Sequence, residues 1–296
     1  MSKTRIVNLI LDVMEKLISK DEIDDAFERT YALSSGDGEG SDSIFELWLR
    51  NIPLALRDAF EEINRAVHEV DDSGTTATVV LTCGRETAGR QSRTSFSRAF
   101  AEVIGNNSER GEAEIDPTDL RAATEAGWGM ELFLVTANVG DSHAFFYSGA
   151  NTTMLNVDHR LDSNNSECER VRRAGGRVDN QETATDKGPL RLYPGGLMMS
   201  RTLGDRSAPQ AIATPEVRTY FIPPSGGRLI IASDGLWDIA SGKQASRLVH
   251  GKAVQPASQL LVSTAQRKDS RDDITVTVVD ILPSKREDIK LPWCVF

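Results

Sequence analysis

The stretch RLIIASDGLWD, residues 228–238, reads in two halves. Leu229, Ile230, Ile231 and Ala232 have the composition of a buried strand. Asp234-Gly235 then ends it, placing a carboxylate at the strand terminus beside a residue whose missing Cβ lets another backbone approach. The arrangement recurs outward along the chain. Arg271-Asp272-Asp273 leads straight into the strand ITVTVVDI, residues 274–281. Asp141 follows the strand ELFLVTA, residues 131–137, within the turn Val139-Gly140-Asp141-Ser142, and residues 143–147 are expected to return as the hairpin partner of 131–137. Carboxylates at strand ends gather along a sheet edge, where they can converge on a hard cation such as Mg2+ or Mn2+. A single Asp-Gly also caps turns and helices, so each site alone leaves both readings open.

The rest of the chain supplies the layers. Residues 76–83 (TATVVLTC) form another apolar, β-branched run. Ile6, Leu9, Ile10, Val13, Met14, Leu17 and Ile18 recur at helical spacing, as do Leu47, Leu56, Phe60, Ile63 and Val67 within a stretch of residues 44–70. Pro53 inside that stretch marks a kink or a fresh helix start. Helices are also expected near 163–174, 242–250 and 256–268, giving a layered α+β fold. Residues 85–128, rich in Arg, Ser, Glu, Gly and Thr between two strands, read as a surface-loop insertion.

A net charge of −10 on 296 residues argues against a non-specific grip on nucleic acid or anionic membrane, and suits either a bland acidic surface or one that collects divalent cations. Cys83, Cys168 and Cys294 show no paired spacing, so a reducing compartment, cytoplasmic or nuclear, is expected. No apolar run is long enough for a membrane span, and the first residues do not read as a signal peptide.

Seven segments, in order, resemble the metal-dependent protein serine/threonine phosphatases of the PPM or type 2C family. Ser73-Gly74-Thr75-Thr76-Ala77 is similar to its SG(S/T)TA entry into a strand. Ala137-Asn138-Val139-Gly140-Asp141-Ser142 resembles its AN-x-GDSR motif, with His143 in place of arginine. Asp158-His159, the run ERVRRAGGRV at residues 169–178, and Ser200-Arg201-Thr202-Leu203-Gly204-Asp205 follow as DH, E-x-x-RI-x-x-GG-x-V and SRA-x-GD. Residues 231–238 resemble ASDG-x-WD, and Ser270-Arg271-Asp272-Asp273 resembles SRDN with Asp273 for asparagine. The run GPLRLYPGGL at residues 188–197 is most like plant-type members.

The resemblance implies an α-β-β-α sandwich of two antiparallel sheets flanked by helices, a phosphatase domain over residues 1–283 and a tail at 284–296. It implies hydrolysis of phosphoserine and phosphothreonine in proteins by a metal-activated water, with two Mg2+ or Mn2+ ions and a third in some members. By carry-over, Asp234 and Asp272 hold one ion, and Asp141 with Asp234 holds the third. Arg201 and Asp205 frame the site, and Asp158 and His159 shape a turn. Phosphoprotein substrates and a monomer are expected.

One family feature has no counterpart before Ser73: a strand ending in Asp-Gly-His-Gly, whose aspartate bridges both metals and whose histidine is the proposed acid, together with an upstream phosphate-binding arginine. Asp37-Gly38-Glu39-Gly40 is the nearest match, but it lies between two helical stretches, so Asp37 is not expected to bridge metals. The chain is expected to start just after that motif, as an N-terminally truncated sandwich with an uncovered sheet edge. No catalytic acid or base is assigned. Two readings stand: a phosphatase, or a catalytically impaired pseudophosphatase that binds phosphoproteins.

Overall fold

The computed structural model describes residues 42–69, 72–86, 130–182, 187–223 and 225–282. In chain order these form helix α1 (Asp42–His68) and strands β1 (Gly74–Thr75), β2 (Ala77–Glu86), β3 (Met130–Val139), β4 (His143–Ser148) and β5 (Asn151–Met154). Helix α2 (Asn165–Arg173) and strands β6 (Arg177–Glu182), β7 (Lys187–Tyr193), β8 (Leu203–Gly204), β9 (Glu216–Ile222) and β10 (Gly227–Ala232) follow. Helices α3 (Asp234–Trp237), α4 (Gly242–Val249) and α5 (Val254–Arg267) and strand β11 (Val276–Ile281) complete the set.

Strand β3 shows why the layers stack. Successive side chains on a strand face opposite ways. Phe133, Val135, Ala137 and Val139 pack with Leu56, Phe60, Ile63 and Val67 of α1. Leu134 between them packs with Ala144, Phe146 and Leu229 of the second sheet and with Leu155 just after β5. Beyond that sheet, Tyr147, Ile230, Ala232 and Val278 bury against Ala245 and Val249 of α4 and Ala257, Leu261 and Ala265 of α5. The order is helix, sheet, sheet, helices, with a three-stranded sheet β2-β3-β9 and a four-stranded sheet β11-β10-β4-β5. Every pairing within both sheets is antiparallel. This is the expected α-β-β-α sandwich. Two further pairs, β1-β8 and β6-β7, lie outside the main sheets.

The helical spacing on α1 is realised: Ile52, Leu56, Ala59, Phe60, Ile63 and Val67 share its buried face, and the helix continues through Pro53. Helix α4 opens on a capping box in which Ser241 and Gln244 satisfy each other's backbone N–H groups. Helices α2, α4 and α5 fall within two residues of their expected bounds.

The expected hairpin between 131–137 and 143–147 is not formed. Strand β3 pairs with β2 and β9, whereas β4 pairs with β10 and β5. Between them the chain crosses from one sheet to the other at Gly140, whose φ of +101° turns it out of its first sheet. Both strands are apolar, so composition alone could not separate partners in one sheet from neighbours in two. Strand β2 runs on to Glu86, paired with Met130, so Arg85 and Glu86 are strand residues rather than part of the expected loop. Residues 6–18, the rest of that loop up to residue 128, and the 284–296 tail lie outside the described residues. Among the described residues no helix is long and apolar enough to cross a membrane.

Candidate functional site

Asp141 owes its place to the crossing. A Cβ at residue 140 would meet Thr76 Cγ2 at 2.2 Å, so glycine is needed there both for its φ and for its size. The turn is held from below. Gly140 N–H donates to His159 Nδ1 at 3.1 Å, and Asn138 Nδ2 donates to the carbonyls of Gly140 at 3.1 Å and Val157 at 3.0 Å. The bond from Gly140 makes His159 Nδ1 an acceptor, and Nε2 faces Glu216 Oε2 at 3.8 Å, beyond hydrogen-bond length. Asp141 itself is buried.

Asp234 begins α3 directly after β10. Its turn is laced to the segment before β11. Ser233 Oγ donates to Asp273 O at 2.9 Å and accepts from Thr275 N–H at 3.0 Å, while Ser270 Oγ donates to Gly235 O at 2.8 Å. A Cβ on Gly235 would lie 2.6 Å from Asp273 O, the close approach foreseen from the sequence. Asp272 is exposed and accepts the Asp273 N–H at 2.7 Å. Burial, then the charges of Asp141 and Asp272, push the Asp234 carboxyl above its ordinary value, against the pull of Arg160.

Arg160 was not singled out from the sequence, yet its guanidinium is where the acids meet. Nε donates to Asp141 Oδ2 at 2.8 Å and one terminal nitrogen to Asp234 Oδ2 at 2.8 Å. Asp238 takes the outer edge with two bonds, at 2.7 and 3.2 Å. The Arg160 backbone is fixed by its N–H on Asp158 Oδ1 at 2.9 Å and by a bridge to Met199. Asp158 and His159 therefore shape this turn. A cleft of about 550 Å3 opens beside the cluster, lined by Asp141, His143, Phe145, Arg160, Trp237 and Lys243 among others. Trp237 is fixed there by its indole N–H on Ala232 O at 2.9 Å, with its ring 4.7 Å from that of Phe145. Burial pulls the His143 imidazole below its usual value although Asp158 and Asp141 oppose this.

Arg201 and Asp205 are engaged elsewhere. Arg201 donates to both oxygens of Glu167, at 2.7 and 3.2 Å, and to Thr214 O at 3.0 Å. Asp205, at φ +52°, follows β8, and its N–H donates to Ser73 O at 3.2 Å, tying it to the segment that enters β1. The structure thus brings Asp141 and Asp234 onto one cation, sets Asp272 beside Asp234, and gives Arg201 and Asp205 partners in the framework.

Among the described residues no three His, Cys, Asp or Glu side chains are grouped as ligands of a single metal ion. The donor chemistry nevertheless fits a divalent cation. Asp141 and Asp234 offer hard carboxylate oxygens, Asp272 adds its charge nearby, and the guanidinium between the first two shows that this corner holds positive charge.

Comparison with known proteins agrees with the fold. A solved serine-threonine phosphatase 2C from Toxoplasma gondii aligns with 94% of this chain and 80% of its own, with a TM-score of 0.56 at 18% identity, a likeness of fold. Among curated proteins, probable protein phosphatase 2C 5 of Arabidopsis thaliana is 43% identical over 163 residues, 53% of this chain and 37% of the relative. Probable protein phosphatase 2C 3 of rice is 33% identical over 244 residues, 80% of this chain and 41% of the relative. The chain therefore spans about two fifths of the length of these relatives. The family model described as Protein phosphatase 2C matches residues 90–274, more than half of the 296, and that span takes in Asp141, Arg160, Asp234 and Asp272. On that match the chain belongs to the protein phosphatase 2C family.

Proposed function

We infer that this domain serves the metal-dependent dephosphorylation of phosphoserine and phosphothreonine in proteins, and that Asp234, Asp272 and Asp141 are its cation-binding residues. The observation that supports this is the convergence of Asp141, from the crossing between the sheets, and Asp234, from the end of β10, on a single positive charge. Asp234 and Asp272 would hold one ion, and Asp141 with Asp234 another. A bound Mg2+ or Mn2+ supplies an acidified water as nucleophile and neutralises phosphate oxygens.

The chain's own residues fix where that chemistry takes place. The Ser233, Ser270 and Gly235 contacts hold the Asp234 and Asp272 turns at one distance. His159 and Asn138 hold the Asp141 turn across the sandwich. The carboxylates are therefore positioned before any ion arrives.

A second reading has its own support. The 296 residues contain no Asp-Gly-His triplet, and Asp141 and Asp234 are already engaged by Arg160. This favours a phosphoprotein-binding module with little turnover. Hydrolysis of a phosphothreonine peptide, with and without millimolar Mn2+, tests the first reading. The expected result is weak turnover that Mn2+ stimulates and that Asp234→Asn abolishes. Tight binding of the phosphopeptide with no Mn2+-dependent turnover would establish the second.

A further inference from the structure

We propose that Arg160 is a tethered counter-cation that occupies the carboxylate corner and must be displaced before a divalent ion can bind Asp141 and Asp234. This rests on the reading of those two residues as cation ligands.

The geometry is that of an ion already in place. A guanidinium is a planar fork, and here it uses Nε on Asp141, one terminal nitrogen on Asp234 and both terminal nitrogens on Asp238. The three acids come from two separate places: Asp141 from the inter-sheet crossing, and Asp234 and Asp238 from one helical turn, where Asp238 N–H donates to Asp234 O at 2.9 Å. The helix explains why Asp234 and Asp238 are neighbours, and the guanidinium joins that pair to Asp141. One guanidinium against three carboxylates leaves the corner net negative, so it still attracts a cation. A divalent ion taking Asp141 and Asp234 would stand within a few ångströms of Arg160, where like charges repel strongly.

The surroundings give the side chain a way out. Its backbone is pinned through Asp158 and Met199, and through Leu161 N–H on Met198 O at 2.9 Å, so the loop itself is held. The guanidinium is the part free to turn. Asp238, its bidentate partner, is 54% exposed, whereas Asp141 is 3% exposed, and both border the 550 Å3 cleft. Arg160 can therefore release the two inner carboxylates and remain on Asp238 as it swings into the cleft. The expected consequence is a cation affinity set by competition rather than by the carboxylates alone.

Calorimetric titration of Mn2+ into the 296-residue chain and three variants tests this, with the shift of thermal midpoint in Mn2+ as a second readout. Arg160→Met, which removes the competitor, should bind Mn2+ at least about tenfold more tightly. Arg160→Lys keeps the charge but cannot span three carboxylates at once, and should still gain roughly threefold. It also guards against a folding failure of the methionine variant. Lys243→Gln removes a cation that lines the same cleft without touching these acids, and should change affinity less than about twofold. Equal affinity in wild type and both Arg160 variants would overturn the proposal while leaving the ligand reading intact. So would a Lys243→Gln gain matching that of Arg160→Met, since the effect would then be general electrostatics. Absence of Mn2+ binding by every variant would overturn the ligand reading and the proposal together.

Discussion

Arg201 engages both carboxylate oxygens of Glu167, Oε1 at 2.7 Å and Oε2 at 3.2 Å, inside a layer where Glu167 is buried. Ser200 Oγ at 2.6 Å and Arg170 Nε at 2.9 Å complete the cage around Oε2. Burial alone would raise the Glu167 pKa, but the bonds from Arg201 and Ser200 outweigh it and hold it at about 2. A carboxyl whose folded value lies below its unfolded value stabilises the fold above the unfolded value. That stabilisation is lost as pH falls from about 4.5 towards 2. A shift of this size corresponds to about 3 kcal/mol. Urea unfolding of wild type should therefore weaken across that window, while Glu167→Gln should be less stable at neutral pH and flatter below pH 4.5. Parallel pH profiles for the two proteins would remove this role.

His159 supports the Asp141 turn by accepting the Gly140 N–H, and it has no exposed surface. Its replacement by leucine would leave that N–H buried without its partner, at a cost of about 1–3 kcal/mol. The unfolding free energy of His159→Leu should fall by that much, read as a lower urea midpoint with an unchanged slope. An unaltered midpoint would mean that the turn is held by Asn138 alone.

Phe60 is 1% exposed between α1 and the three-stranded sheet, whereas Leu54 on the same helix is 55% exposed. Phe60→Ala should cost about 3–5 kcal/mol through lost burial and the cavity left behind. Leu54→Ala should stay within about 0.5 kcal/mol of wild type. Similar losses from both would contradict the packing of α1 onto this sheet.

Strands β2 and β3 pair in continuous register from Ala77 opposite Val139 to Glu86 opposite Met130. Lengthening a loop costs only about 0.6 kcal/mol per doubling. Replacing residues 88–126 with a short Gly/Ser linker should leave the thermal midpoint nearly unchanged. Loss of a cooperative transition would assign that segment to the core.

The 296-residue chain should turn over a phosphothreonine peptide barely above background in millimolar Mn2+. Orienting a nucleophile between two ions is worth roughly 7–11 kcal/mol in favourable systems, and the chain offers no Asp-Gly-His to share between them. Robust Mn2+-dependent turnover that Asp37→Asn abolishes would give Asp37 the bridging role after all.

Much of the site could be read from the sequence because its acids sit where strands stop. A strand ending in Asp-Gly carries its chemistry in a few contiguous residues, as at Asp234, and the lacing of Ser270 and Ser233 lies close to such ends. Arg160 carries no such mark. Its three acidic partners lie 19, 74 and 78 residues away, and only the folded sandwich brings them together. The sheet assignment of β4 was hidden for a related reason: β-branched and aromatic composition marks a strand but not the partner beside it. Strand β9 went unread because its sequence EVRTYFI mixes polar and apolar residues and stays half-buried along most of its length. Helix α1 was legible because a 27-residue element repeats its pattern often enough to be unambiguous.

The step at Gly140 makes Asp141 a gauge of the sandwich's thickness. The chain leaves β3 of one sheet two residues before it and enters β4 of the other two residues after it, beside the β10 strand that carries Asp234, so the place of its carboxylate shifts when the two sheets close or part. Shaving the layer between the sheets, for instance at Leu134, would therefore be felt at the acids as misalignment long before the fold gave way. Slow drift in such interior positions would tune the chemistry of the site without altering a single residue that lines it.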